Sequence, residues 1–359
     1  MDKSKILIIG CGGCGNNQLD TLMELDRRYT GIFMNTNLSE MENLKYFDKE
    51  RRCFHVPNAE GTGKDRNLAE KYIKEDASKF AKSITNFINQ SMIILMGSAD
   101  GGTGSKAMIM LAKLIKKFCP DKSINIIPTF PNIGESDIAF QNTIDFWNEL
   151  MELKNGKNGK GSIIDSIQFI DNNKGNEKEV NIKAMKELDR SFEIAEGKLD
   201  NSDSNRVHTS KGYKVILNLD ERIRKTEDAI DKAISESMFY MPDNFECDDI
   251  IANINGELFD LNVIKDKFEY YNFNKFNTNG TRNEIVLGGC DIPTEAIELV
   301  KEALKEIKAR KRNRVQKEDL IIKTPKIEKE DEETAISSSD ITSKDLNDLF
   351  ADDRFWDIF

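Results

Sequence analysis

Short apolar blocks alternate along this chain with longer stretches in which apolar residues recur every three to four positions. KILIIG (5–10), GIFMN (31–35), RCFHV (52–56), SMIILM (91–96), INIIPTF (124–130), SIIDSIQFID (162–171) and YKVILNLD (213–220) read as strands. Helices are predicted between them at about 17–28, 65–90, 106–118, 135–153 and 177–200, with Asp65 placed to cap the second. The last carries Val180, Ala184, Met185, Leu188, Phe192 and Ala195 at helical spacing, as a long, half-buried core helix would. Such alternation predicts an α/β fold with a doubly wound, mostly parallel sheet. From about residue 248 the rhythm changes. DIIANINGE and NEIVLGGC read as strands around a short helix, and Pro293 opens a helix to about 312, giving a smaller α+β domain. The predicted division is 1–200, 201–312, and a tail from 313 to 359.

Composition adds the tail's character. Residues 301–317, KEALKEIKARKRNRVQK, hold eight basic side chains against two acidic ones. The stretch beyond them is acidic and Ser/Thr-rich and is predicted to be disordered. Its end, DLNDLFADDRFWDIF, sets Phe350, Phe355, Trp356 and Phe359 among carboxylates, which suits a peptide anchor that docks in a partner's groove. No run of eighteen apolar residues exists and MDKSKILIIG lacks a signal peptide's apolar stretch, so a cytoplasmic location is expected. A net charge of −11 argues against a protein that coats nucleic acid directly. The only histidines, His55 and His208, are far apart in sequence, which disfavours a His-rich zinc site or a His-based triad.

The chemistry concentrates in glycines. IIGCGGCGNN (8–17) holds both a CxxC, Cys11 and Cys14, and a GxGxxG, Gly10, Gly12 and Gly15. The cysteines sit inside a glycine turn with no second CxxC, which favours tolerated small residues over a redox or zinc pair. A dinucleotide site wants an acid at the end of the second strand, where this chain has Asn35-Thr36-Asn37. A second glycine loop, GSADGGTGS (97–105), also follows an apolar strand and opens a helix. Two such loops at one sheet end predict a polyphosphate gripped from both sides by backbone N–H groups and by the Thr103 and Ser105 hydroxyls. Gly61-Thr62-Gly63-Lys64 continues with Asp65 and lacks the earlier glycine of a P-loop.

DGGTGS resembles the glycine signature of the tubulin/FtsZ superfamily, and further segments resemble that family in order along roughly the first 310 residues. The resemblance implies a GTPase fold that binds GTP or GDP, with Mg²⁺. Gly12, Gly13, Cys14, Asn16 and Asn17 fall in its first loop, Asn17 as a base contact. Asn37 falls in MNTN, Thr62 and Gly63 in the loop toward the γ-phosphate, and Ala99, Asp100, Gly101, Gly102, Thr103 and Gly104 in the signature. Glu135 would hold the ribose, Asn172 would contact guanine and Phe192 would stack on the base. Asn218-Leu219-Asp220 matches the first half of the family's NxDxxD, which enters the neighbouring subunit's site. Hydrolysis then requires assembly, with Asp220 as its carboxylate.

Two departures stand out. Ile223 replaces the second acid, so Glu221, at a shifted position, is the candidate for the second charge, with Asn218 the further catalytic candidate beside Asp220. Asp100 replaces a glycine and needs a basic partner, for which Lys106, one turn on, is a candidate. With the tail, these departures look most like the TubZ branch, whose filaments move plasmid or phage DNA in a bacterial cell through a DNA-binding adaptor at a centromere-like site. The implied partners are further copies of the chain and such an adaptor, reached through the tail. Contact with DNA would be mostly indirect, and no direct membrane contact is implied. The alternatives are an FtsZ-like division GTPase, an NAD-type oxidoreductase, and a nucleotide-bound module without turnover.

Overall fold

The computed structural model describes residues 1–56, 59–156 and 161–317. In chain order the elements begin with β1 Ile6–Cys11, α1 Gly12–Leu25, β2 Thr30–Asn35, α2 Leu38–Glu42, β3 Cys53–His55 and α3 Arg66–Ile84. Next come β4 Met92–Ser98, α4 Thr103–Phe118, β5 Ser123–Phe130, α5 Asp137–Asn155, β6 Ser166–Ile167, β7 Ile170–Asp171 and α6 Glu177–Ser191. The remainder is α7 Asn201–His208, β8 Gly212–Asn218, α8 Thr226–Glu236, β9 Cys247–Asn255, α9 Leu261–Lys267, β10 Tyr270–Asn277, β11 Asn279–Cys290 and α10 Glu295–Lys317. The predicted acidic end of the tail lies outside the described residues.

The strands form one sheet in the order β10-β9-β11-β8-β6-β5-β4-β1-β2-β3, with β7 also paired to β5. Every pairing is parallel except those of β11, which runs antiparallel to β8 and β9. The central strands are apolar throughout because both faces are covered. On β1, Leu7 and Ile9 enter the core shared with α3 and α4, while Ile6 and Ile8 enter the one shared with α1 and α6. On β4, Ile93 and Leu95 divide from Ile94 and Met96 in the same way. This three-layer α/β sandwich is the doubly wound sheet expected from the sequence. The strand-rich C-terminal part extends the same sheet through β11.

Several elements differ from expectation. The core helix, expected to about 200, stops at Ser191. Gly197 then turns the chain at a φ of +61°, and Asp200 starts α7 with a reciprocal capping box to Asp203. SIIDSIQFID is not one strand but two short ones, β6 and β7. α1 begins at Gly12 rather than near Asn17, so the first glycine loop is itself the opening turn of a helix. α3 does start after its Asp65 cap, whose carboxylate accepts from the N–H groups of Asn67 and Leu68.

Candidate nucleotide site

β1 and β4 are neighbours, with Cys11 opposite Gly97, so their two glycine turns emerge side by side. The strand order reverses direction here, at the crevice where open α/β sheets bind ligands. The turns pack backbone to backbone. A Cβ on Gly104 would lie 2.8 Å from the Cys11 carbonyl oxygen, and one on Gly15 would lie 2.1 Å from that of Met96. Gly12 turns from strand to helix at a φ of +70°, a region suited to glycine. The GxGxxG spacing thus serves helix-on-strand contact as much as any ligand.

α1 and α4 both open at this point, after Cys11 and Gly102. Neither has a side-chain cap or an acidic residue in its first turn. Uncapped N–H groups at the positive end of a helix dipole attract anions. α8 is also uncapped, but Glu227 and Asp228 occupy its first turn.

The turns floor a cleft of about 830 Å³. Thr103 gathers the loops around it: its hydroxyl lies 2.7 Å from that of Thr36 and 3.2 Å from that of Thr62. The Asn142 amide of α5 donates to the carbonyls of Lys64 and Asp100, at 2.8 and 3.0 Å, fastening the second glycine turn to the 60–65 loop. Lys64 Nζ lies 2.6 Å from Asp100 and 3.3 Å from Glu135. Burial opposes the charge on Lys64, yet these two carboxylates hold its ammonium above the ordinary lysine range. This corrects the expected partner of Asp100. Lys106 instead pairs with Glu70 and Glu149, at 2.7 and 2.9 Å.

Most of the residues singled out from sequence line the cleft. Gly12, Gly13, Cys14 and Asn17 come from the first turn and Asn37, Thr62 and Gly63 from the next two loops. Asp100, Gly101, Gly102, Thr103 and Gly104 come from the second turn, Glu135 from the loop after β5 and Asn172 from the turn after β7. The buried Oδ1 of Asn172 has no hydrogen-bond partner.

Four residues expected at the ligand do not line it. Ser105 is fully buried, its hydroxyl donating back to the Gly101 carbonyl one turn earlier, which takes it away from a phosphate. Asn16 is buried beneath the turn, its amide donating to the Met34 carbonyl at 3.2 Å. Ala99 is buried and bonded to Thr129 through its backbone. Phe192 lies past the C-terminal end of α6, fully buried against Tyr29 and His208, with Lys214 Nζ 5.6 Å from its ring centre. It is a core residue and cannot stack on a base, because the cleft is at the other end of α6, beside Glu177 and Asn181. Sequence reasoning missed Lys64 as a lining residue, having weighed it only as part of an incomplete P-loop. It missed Asn142 entirely, since nothing distinguishes a helical asparagine whose partners come from other elements.

The thiols are structural. Cys11 and Cys14 are free, Cys11 donating to the Ile9 carbonyl and Cys14 to the Thr129 hydroxyl. Burial pushes both up, Cys14 to about 12, which disfavours the reactive thiolate.

Asn218, Asp220 and Glu221 lie outside the cleft. Asn218 sits opposite Glu284, which pairs with Arg190 at the C-terminal end of α6. A helix of this length spans roughly 22 Å, so the loop and the cleft are attached to opposite ends of α6. Asp220 is not a helix cap: α8 starts after Lys225. Its carboxylate accepts from Arg222 at 2.8 and 2.7 Å and from Lys232 at 3.0 Å. These bonds, those of Arg222 foremost, hold it well below the usual carboxylate range. Glu221 instead accepts from the Asn283 amide at 2.7 Å.

Comparison with known proteins agrees with this geometry. Residues 5–157 match the family described as "Tubulin/FtsZ family, GTPase domain". The chain is 28% identical to the tubulin-like protein TubZ of Clostridium botulinum C phage, over 97% of this chain and 99% of that protein. The structure of a tail-truncated TubZ from Clostridium botulinum phage c-st superposes with a TM-score of 0.78 at 25% identity, covering 86% of this chain and all of that one. A GTPγS-form protofilament of TubZ from Bacillus thuringiensis serovar israelensis has the same fold, with a TM-score of 0.69 at 16% identity, over 88% of this chain and 94% of that one. Residues 5–157 thus match a tubulin/FtsZ GTPase domain, and the chain as a whole is similar to TubZ along nearly its full length.

Proposed function

We propose that the chain is a filament-forming GTPase whose site is completed by the next subunit, and that it partitions plasmid or phage DNA. The observation that carries this is the pair of uncapped helix N-termini packed side by side on the cleft floor, with Thr103 between them and the flanking loops. Such a floor fits a polyphosphate. The orphaned Asn172 Oδ1 fits the donor edge of guanine, and the exposed Asn17 stands on the same cleft. Among the described residues no cluster of three or more His, Cys, Asp or Glu side chains forms a metal cage. A Mg²⁺ ion would therefore be held chiefly by the phosphates and water.

Because Asp220 lies away from its own chain's cleft, it can serve chemistry only at a neighbour's. The protofilament of the TubZ relative supports assembly of subunits into a filament, which we propose to be head to tail. There Asp220, ionised and oriented by Arg222, would position the attacking water. The phage origin of the TubZ relative supports the partition role, and the tail beyond 317 is the proposed contact for a DNA-binding adaptor.

Light scattering and pelleting with GTP, GTPγS, ATP and NAD test the reading. Polymer should form with guanine nucleotides alone and persist with GTPγS. Asp220→Ala should bind GTP normally and fail to turn it over. Absence of polymer with any nucleotide would sink the proposal.

A further inference from the structure

We infer that Asn283 positions the loop from Asn218 to Glu221, and that Glu221 is the anchor of this loop rather than its second acid. The inference rests on the proposed function, since it assigns parts within the same composite site.

β11 enters the sheet irregularly, its register against β9 shifting between Asn279 and Glu284. Such irregularities re-aim side chains near sites. Asn283 sits in this stretch, 1% exposed, at a φ of +53°. Among residues with a side chain, asparagine is one of the few that accept that conformation. Three of its polar groups have partners there. Its amide donates to Glu221 at 2.7 Å, its Oδ1 accepts from the Asn255 N–H at 2.8 Å, and its carbonyl accepts from the Leu219 N–H at 2.8 Å. Asn283 therefore grips the loop on both sides of Asp220. Glu221 is turned back toward the body, while Asp220 is held from outside by Arg222 and Lys232.

The same stretch is tied to α6. Arg190 pairs with the buried Glu284 at 2.6 Å and donates to the Arg282 carbonyl. Residues 282–284 thus join the C-terminal end of α6 to the loop, and the N-terminal end of α6 lines the cleft with Glu177 and Asn181. None of the three belongs to the glycine turns or to the NxD motif. What marks them is geometry: a buried, left-handed asparagine whose amide meets the carboxylate left over from an incomplete motif.

The test uses the full chain and steady-state GTP turnover. Asn283→Asp keeps the tolerance for positive φ and the acceptor for Asn255, but sets a second carboxylate against Glu221. Its turnover at saturating GTP should fall at least ten-fold, with GTP affinity and GTPγS polymer mass changing less than two-fold. Adding Glu221→Gln supplies an amide donor to the new carboxylate and should restore most of the loss. Glu221→Gln alone should retain at least ten-fold more turnover than Asp220→Ala, because glutamine still accepts from Asn283. If Asn283→Asp does not fold, Asn283→Gly, which any φ suits, should show the same separation of turnover from affinity. Normal turnover in the Asn283 variant, no rescue in the double variant, or a Glu221→Gln as inactive as Asp220→Ala would each overturn the inference. A wild-type chain without GTP turnover would instead refute the proposed function itself.

Discussion

Lys64 shows how one side chain sets the charge of the cleft. It stands between Asp100 and Glu135, at a φ of +68°, in a loop fastened by Asn142. Without it, two unpaired carboxylates would face the two helix N-termini of the floor, where the proposed phosphates would sit. Lys64→Met should weaken guanine-nucleotide binding ten-fold or more, about 1.4 kcal/mol, by titration calorimetry. Asp100→Asn removes a repulsive charge and should cost less. Unchanged affinity in Lys64→Met would remove this lysine from the site. Gly102 limits the site by size. A Cβ there would lie 2.4 Å from Thr62 Oγ1 and 2.9 Å from the Asp65 carbonyl oxygen. Gly102→Ala should force the two loops apart, lowering stability by about 1–3 kcal/mol in urea denaturation and weakening nucleotide binding with it. An alanine variant with wild-type stability and affinity would show that these loops yield freely.

α6 carries a half-buried acid that makes its docking depend on pH. Glu187 accepts from the Ser237 hydroxyl and the Met238 N–H, at 2.9 and 3.1 Å, tying the helix to the segment after α8. Burial raises its carboxyl to about 7, against the opposing pull of these donors and of Lys174 and Lys183. The unfolded chain releases this proton near 4.5 while the folded chain keeps it to about 7. This contribution is therefore full below 4.5 and is lost as pH rises to 7, by roughly 2–3 kcal/mol. Glu187→Gln should abolish that loss, so the wild-type minus variant stability should fall between pH 5 and 7.5; a flat difference would show that Glu187 ionises in the fold. His208, which is buried, affects both chains alike and cancels. Elements such as β1 and β4 were legible in the sequence because burial on both faces leaves an unbroken apolar run. The glycine turns were legible because close backbone contact admits little else. β10 was not, because YYNFNKFN is a half-exposed edge strand whose polar residues alternate with aromatics. The end of α6 was misread because Ala195 keeps the helical spacing past Ser191, while Gly197 and the Asp200 capping box decide the break. The partners of Lys64 and Asn142 depend on which loops meet in space, and no local pattern encodes that.

The cleft and the Asp220 loop hang from opposite ends of α6 beside one continuous sheet, so the two cannot meet within a single chain; on the proposed reading they are two half-sites. If stacking is head to tail, each working site draws its floor from one subunit and its carboxylate from the next. Two differently disabled chains should then repair each other. Asp220→Ala keeps an intact cleft but offers no carboxylate, whereas Gly102→Val, with a crowded turn, offers an intact loop but a poor cleft. Each alone should hydrolyse GTP at a few per cent of the wild-type rate or less. Mixed at equal concentration, contacts that set the good loop over the good cleft should turn over, raising the rate well above the sum of the two. The gain should grow with total protein concentration, because it depends on association, and Asn283→Asp placed in the Gly102→Val chain should erase it, while the same change in the Asp220→Ala chain should not. A mixture that never exceeds the sum of its parts would mean that the Asp220 loop serves no neighbour, and the division of labour between the two ends of α6 would have to be abandoned.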